Sequence, residues 1–260
     1  MPTPFLAIIL WKKLQKAALM HYVIGDVHGH YKTLCALVQK LPENATLIFV
    51  GDLIDRGLHS REVVAFVREG SHPCVMGNHE ELMLTYGRLA VDAYRNGSML
   101  DLGNFWCVNG GIEALLSYGL LEKNGMTYQK VKEFQEPLSI FEEDMAWMQT
   151  LPTYLELPLQ KNGLEVVVSH APIGAAWGLR TVEAMFASFH KTATTSRRNP
   201  DESVKIFNIF GHTPHSFGAD EGKNYVNIDT GCYKNEYGYG TLSAYCIESG
   251  ETTSIPRVED

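Results

Sequence analysis

The sequence holds no Cys-x-x-Cys pair, and its five cysteines, Cys35, Cys74, Cys107, Cys232 and Cys246, are an odd number. That argues against a disulfide framework and for a reduced, cytoplasmic chain. Cys35, Cys74 and Cys246 fall in apolar segments and read as core filler rather than nucleophiles. Long apolar stretches are missing too. The run from Phe5 to Trp11 is too short to span a bilayer. Its lysines, Lys12, Lys13 and Lys16, follow the apolar run, whereas a signal peptide carries them in front. No membrane partner is therefore expected. Residues 1–19 are set apart as an extension without assigned function, an amphipathic surface helix or a stretch upstream of a start at Met20. A basic excess is also lacking: 22 Lys and Arg face 30 Asp and Glu, a formal charge of -8, so no nucleic acid is expected as partner. There are no repeats, long linkers or low-complexity tracts. What remains is ordinary for a globular protein, 260 residues with 45% apolar and 20% charged, enough to bury one large core.

The chain is organised around Val23-Ile24-Gly25-Asp26-Val27-His28, an apolar run ending in glycine, then an Asp and a His two residues apart. The run reads as a buried strand. Residues 31–41 carry apolar side chains at helical spacing, and Pro42 stops them. A second strand, Thr46 to Val50, ends in Gly51-Asp52; Ser60 then caps a helix with Val63, Val64, Phe66 and Val67 inward. A short strand, Cys74 to Met76, ends in Gly77-Asn78-His79-Glu80. Strand and helix alternate as in a parallel α/β sheet. Residues 81–152 are rich in Met, Leu and aromatics and read as a helical insert, with Pro137 in a first helical position. Strands return at 154–157 and 164–168 around Lys161-Asn162-Gly163, a hairpin signal. Residues 171–204 read as irregular. The strand 206–210 ends in Gly211-His212, and 225–229 and 241–247 read as late antiparallel strands.

Five strands thus end in polar residues of metal-binding type: Asp26 and His28, Asp52, Asn78 and His79, His170, and His212. Strand ends of one sheet lie side by side, where α/β proteins place their ligands. Imidazole and carboxylate suit manganese, iron or zinc, and the lack of cysteine at these positions argues against structural zinc. The set is too large for one ion and about right for two divalent ions sharing a carboxylate.

Gly25-Asp26-Val27-His28-Gly29, Gly51-Asp52-Leu53-Ile54-Asp55-Arg56-Gly57, Gly77-Asn78-His79-Glu80, Ser169-His170-Ala171 and Gly211-His212-Thr213 together resemble the signature set of calcineurin-like metallophosphoesterases. The Asp-Arg-Gly and Asn-His-Glu versions resemble the phosphoprotein phosphatase branch, in particular the small bacterial and phage serine/threonine phosphatases of the lambda type. The likeness runs from about Met20 to Gly250 and takes in Trp106 to Gly111 and Ile228 to Gly231. It implies an α/β metallophosphoesterase domain over residues 20–260, two mixed β-sheets flanked by helices. It implies that Asp26 and His28 hold a first metal, that Asp52 bridges, and that Asn78, His170 and His212 complete a second site, manganese being the expected ion. A hydroxide shared by the ions would attack phosphorus. His79, oriented by Asp55, would protonate the leaving alkoxide, and Arg56 and Asn78 would bind the phosphate.

The family usually adds a second phosphate-binding Arg after a Trp-Asn pair. That Trp is missing here, and Arg197, Arg198 and Arg180 all stand as counterparts, Arg197 being preferred. Glu80 reads as a helix-start carboxylate, and His215, three residues past His212, as non-ligating. The expected activity is hydrolysis of phosphate monoesters on proteins, at phosphoserine or phosphothreonine. Hydrolysis of dinucleoside polyphosphates is the first alternative, and a phosphoprotein-binding module without catalysis the second.

Overall fold

A computed structural model describes residues 20–259, so the extension 1–19 lies outside the described residues. Two sheets carry the fold. The first has the order β11-β10-β1-β2, built from β1 (His21–Ile24), β2 (Thr46–Phe49), β10 (Thr241–Cys246) and β11 (Thr252–Pro256). β1 pairs parallel with β2 and antiparallel with β10, so the sheet is mixed. The second has the order β5-β6-β7-β9-β8, from β5 (Tyr154–Lys161), β6 (Leu164–Ser169), β7 (Ile206–Phe210), β8 (Asp220–Glu221) and β9 (Tyr225–Asn227).

Strand alternation decides how the sheets stack. In β1 and β2, Val23 and Ile48 face one way and join Val166, Val168, Phe207, Ile209 and Val226 of the second sheet in a core between the sheets. Tyr22, Ile24, Leu47 and Phe49 face the other way, under α1 (Tyr31–Val38), α2 (Ser60–Glu69) and α3 (Asn78–Arg95). Val167 of β6 turns outward onto Phe189 and Ala193 of α6 (Phe186–Thr195). The expected two mixed sheets flanked by helices are therefore found.

Several local expectations need correction. The stretch 81–152 contains α3, α4 (Ile112–Ser117) and α5 (Gln135–Met148), but also a hairpin of β3 (Leu121–Asn124) and β4 (Thr127–Lys130). Of β3 only Leu121 is buried, so no apolar alternation marks the strands. Residues 171–204 are not wholly irregular: they hold α6, whose short buried face of Phe189, Ala193 and Thr194 lies in a run of Ser and Thr. β9 runs parallel to β7 and is antiparallel only to the two-residue β8. Residues 74–76 form a single bridge, Cys74 to Phe49, rather than a strand. Pro137 is the third residue of α5, not the first. The hairpin at Lys161-Asn162-Gly163 forms as the turn residues dictate, with Lys161 paired to Leu164.

The helical layer packs around aromatics. Trp106, Tyr118 and Phe141 are fully buried together, with the Phe141 ring edge-on to Tyr118 at 5.0 Å. A cavity at Phe141 would cost about 3–5 kcal/mol. We expect Phe141→Ala to lower the urea midpoint accordingly without changing the denaturant slope; a shift under about 1 kcal/mol would mean that this layer repacks freely.

Candidate metal centre

The site lies where four strand ends and one helix start meet. Asp26 and His28 follow β1, Asp52 follows β2, Asn78 and His79 open α3, His170 follows β6 and His212 follows β7. The backbone there is strained. His28, Asp52, Asp55, Arg56 and His212 all have positive φ, between 48° and 72°, in a region that residues with a Cβ rarely enter. Two glycines allow the close approach: a Cβ on Gly77 would strike the Asp52 backbone and carboxylate, and one on Gly211 would strike the Asp26 carboxylate.

Asp52 is the common member of two donor groups. His28, Asp52 and His79 offer one ligand atom each within 4.8 Å of one another, and so do Asp52, His170 and His212. Around His170 Nε2 lie Asn78 Oδ1 at 3.0 Å, His212 Nδ1 at 3.1 Å and Asp52 Oδ1 at 3.3 Å. His170 Nδ1 faces the Val50 carbonyl at 2.8 Å, so Nδ1 carries the proton and Nε2 is a bare lone pair. His28 is fixed likewise, Nδ1 donating to the Ile54 carbonyl at 2.9 Å and leaving Nε2 for the site, 3.6 Å from Asp52 Oδ2. Lone pairs of imidazole, amide and carboxylate thus converge in a buried place. They repel one another unless a cation stands among them, and the donor set fits divalent transition ions.

Asp26 is buried at the edge of this cluster. Its two oxygens accept the His212 backbone N–H at 3.2 and 3.1 Å. Burial and the neighbouring Asp229 and Asp52 charges push its pKa well up. Burial alone would raise Asp52 as well, but the electrostatic pull of the surrounding imidazoles of His170, His79 and His28 outweighs it and holds Asp52 below the ordinary carboxylate range. Burial lowers His212 to about 3, keeping it a neutral donor.

His79 stands against both groups. Its Nδ1 donates to Asp55 Oδ2 at 2.6 Å, and Asp55 also accepts the Trp106 indole N–H at 3.0 Å. Burial disfavours the imidazolium, but the Asp52 charge and the Asp55 hydrogen bond prevail and raise the pKa of His79. Arg56 reaches His79 Nε2 at 3.0 Å and lies 3.7 Å over the Tyr233 ring. Arg197 is exposed at the rim, its charge felt at His212 and Asp229. Arg180 is engaged elsewhere, stacked 3.7 Å over Trp177 and paired with Glu156.

Glu80 does more than favour a helix start. Its carboxylate accepts the backbone N–H groups of Asp52, Leu53 and Gly77 at 2.8–3.0 Å, clamping the Asp52 turn to α3. Asp229 is buried with one oxygen unpartnered. The Ile-Asp-Thr-Gly motif pointed to the segment, but gave Asp229 no role. Tyr233 carried no sequence signal at all. Ser60 sits at its helix start, yet its hydroxyl accepts the Asp55 N–H at 3.0 Å instead of capping.

Converging imidazoles and carboxylates at the mouth of a two-sheet sandwich make a site of the metallohydrolase kind. The family model for calcineurin-like phosphoesterases matches residues 22–216, and the chain belongs to that family. It is similar to the symmetrical bis(5'-nucleosyl)-tetraphosphatase of Coxiella burnetii, 27% identical over 208 residues; the match takes in 78% of this chain and only 58% of that one. The asymmetrical bis(5'-nucleosyl)-tetraphosphatase PrpE of Bacillus subtilis is 28% identical, with 90% of this chain and 93% of that one covered. Serine/threonine-protein phosphatase 2 of Escherichia coli is 35% identical, over 38% of this chain and 44% of its own. The fold is shared with a crystal structure assigned as a diadenosine tetraphosphatase, at a TM-score of 0.60, 19% identity and coverage of 94% and 96%. It is shared too with a serine/threonine phosphatase from Saccharomyces cerevisiae, at 0.53, 14% identity and coverage of 100% and 91%.

Two outcomes follow for cation binding. Ligand carboxyls must be ionised to bind a cation, and burial pushes the neighbouring Asp229 up to about 7 and Asp26 upward too. Manganese affinity should therefore rise with pH from about 5 to about 8, with proton release, by calorimetry in buffers of different ionisation heat; a flat profile would contradict this. Glu80→Gln must aim an amide donor at one of the three N–H groups, and should cut affinity about 10–100-fold while lowering Tm; unchanged affinity would show that the clamp is dispensable.

Proposed function

We propose that the protein is a metal-dependent phosphomonoesterase, acting on phosphoserine and phosphothreonine in proteins, in the cytoplasm. The single observation behind this reading is the coupled set Asp55, His79 and Arg56 beside Asp52. Such a set is what release of a poor alkoxide leaving group requires. The absence of a helix long and apolar enough to cross a membrane, among the described residues, is compatible with it.

Asp26, His28, Asp52, Asn78, His170 and His212 would hold two divalent ions, manganese being the expected choice. Bound there, the ions supply Lewis acidity to water and to the phosphoryl oxygens. The protein's own groups do the rest. Arg56, and Arg197 from the rim, neutralise phosphate charge, Arg56 through its planar fork. The Tyr233 ring keeps the Arg56 guanidinium over the site. Arg56 lies 3.0 Å from His79 Nε2, and on this reading a bound phosphate takes over the guanidinium and frees Nε2. The freed His79 Nε2 takes a proton from solvent, favoured by its raised pKa, and passes it to the departing serine or threonine oxygen, while Asp55, held by Trp106, steadies the intervening imidazolium.

A second reading, hydrolysis of dinucleoside polyphosphates, is favoured by the near-complete coverage of the Bacillus subtilis relative, 93% of its length. Phosphate release from a phosphoserine peptide and from diadenosine tetraphosphate, measured side by side with manganese, separates the two. Peptide turnover no faster than that of Asp52→Asn would reject the first reading.

Acid catalysis by His79 has its own signature. His79→Asn should slow phosphoserine hydrolysis about 100-fold, yet affect p-nitrophenyl phosphate far less, because nitrophenolate leaves without a proton. Equal losses on both substrates would take the acid role from His79.

A further inference from the structure

One cavity has Arg56 in its wall and another has Arg197, and they differ in chemistry. The first, about 550 Å³, includes the rings of Tyr128 and Tyr233. The second, about 470 Å³, lies between α6 and the segment after β6. Its walls carry the hydroxyls of Ser188, Thr192, Thr195 and Ser196 and the cations of Lys191, Arg197 and Arg198, against the one carboxylate of Asp201. That carboxylate is engaged by the Ser203 backbone and hydroxyl. Lys191, Arg197 and Arg198 are exposed, and none belongs to an ion pair among the described residues. This is an uncompensated positive rim on a chain of formal charge -8. No aromatic ring lines the cavity.

The missing ring decides between anionic occupants. A nucleobase takes its binding energy from stacking on aromatic side chains, and none is available there. Carboxylates need cations, supplied by Lys191, Arg197 and Arg198, and can add the Ser188 and Ser196 hydroxyls, since those of Thr192 and Thr195 donate to helix carbonyls. We propose that the cavity beside Arg197 is a subsite for acidic residues flanking the phosphorylated side chain, so that strongly acidic phosphopeptides are the preferred substrates. The inference rests on the phosphopeptide reading above and assigns Lys191 and Arg198 a part in specificity. Arg197, proposed above as a phosphate clamp, is itself part of the cavity wall and so joins the subsite to the phosphate.

The test uses manganese-loaded protein and three phosphoserine peptides of equal length, with Asp/Glu, Ala/Ser or Lys/Arg flanks. The acidic peptide should exceed the neutral one about 10-fold in kcat/KM, and the advantage should shrink as salt is added. The double variant Lys191→Glu/Arg198→Glu should invert the order and favour basic flanks, a gain that misfolding cannot imitate. Equal kcat/KM for acidic and neutral peptides, or an unchanged order in the double variant, would overturn the subsite while leaving phosphopeptide hydrolysis intact. Turnover of none of the peptides, with diadenosine tetraphosphate still hydrolysed, would overturn the phosphopeptide reading and the subsite with it.

Discussion

The structure depends on holding one buried carboxylate, that of Asp52, where it faces two donor groups at once. Nothing about an isolated Asp at a strand end secures this. Its φ of 48° is unfavourable, and its charge is buried at 2% exposure. Glu80 holds the turn from one side by accepting three backbone N–H groups. The His79 N–H holds the carboxylate itself, donating to Asp52 Oδ1 at 3.0 Å from the first turn of α3. The N-terminus of an 18-residue helix favours negative charge there, and with the three N–H groups it offsets part of the burial and the Asp52 charge that push Glu80 up to about 7. The capping role of Glu80 and the placement of Asp52 are thus one arrangement seen from its two ends.

That arrangement explains why the sandwich is built as it is. The inter-sheet core brings the ends of β6 and β7 over those of β1 and β2. His170 Nδ1 reaches the Val50 carbonyl across the gap, and the His212 N–H reaches Asp26. Each sheet supplies the other with the group that fixes its ligand. Without the opposite sheet His170 and Asp26 would lose these partners, whereas His28 is fixed within its own sheet by the Ile54 carbonyl.

Most of this was legible in the sequence where short-range patterns coincide with chemistry. Glycine followed by Asp, Asn or His after an apolar run marks the ends at Asp26, Asp52, Asn78 and His212, with Ser169 in the glycine's place before His170, and donor atoms of His28, Asp52, His79, His170 and His212 lie close together. The resemblance, rather than any spacing, suggested the pairing of Asp55 with His79, which lie 2.6 Å apart. The losses have physical causes. The β3–β4 hairpin is mostly solvent-facing, so hydrophobic alternation does not report it. α6 buries too few side chains for its period to stand out. β9 is three residues long, and nothing in so short a run encodes parallel or antiparallel pairing. Tyr233 acts on Arg56 through a ring face, a contact made by tertiary packing and invisible to any spacing rule. The choice among Arg180, Arg197 and Arg198 was open for the same reason, and stacking on Trp177 accounts for Arg180.

Relatives of this chain carry names from two substrate classes, and one metal centre serves both chemistries in principle, since each breaks a bond to phosphorus in line with an activated water. Discrimination must then lie outside the ligands. On the Arg56 side the walls offer Tyr128 and Tyr233 and suit either a peptide or a base. On the Arg197 side they offer cations and hydroxyls without a ring. A dinucleotide places a base at each end of its phosphate chain, so a site selective for it benefits from aromatic surface in both directions. A phosphorylated loop makes no such demand: it needs a phosphate clamp at the centre and charge complementarity at the margin. The proposed acidic subsite turns on this asymmetry of the two walls, whereas the proposed phosphopeptide activity turns on the Asp55–His79–Arg56 set.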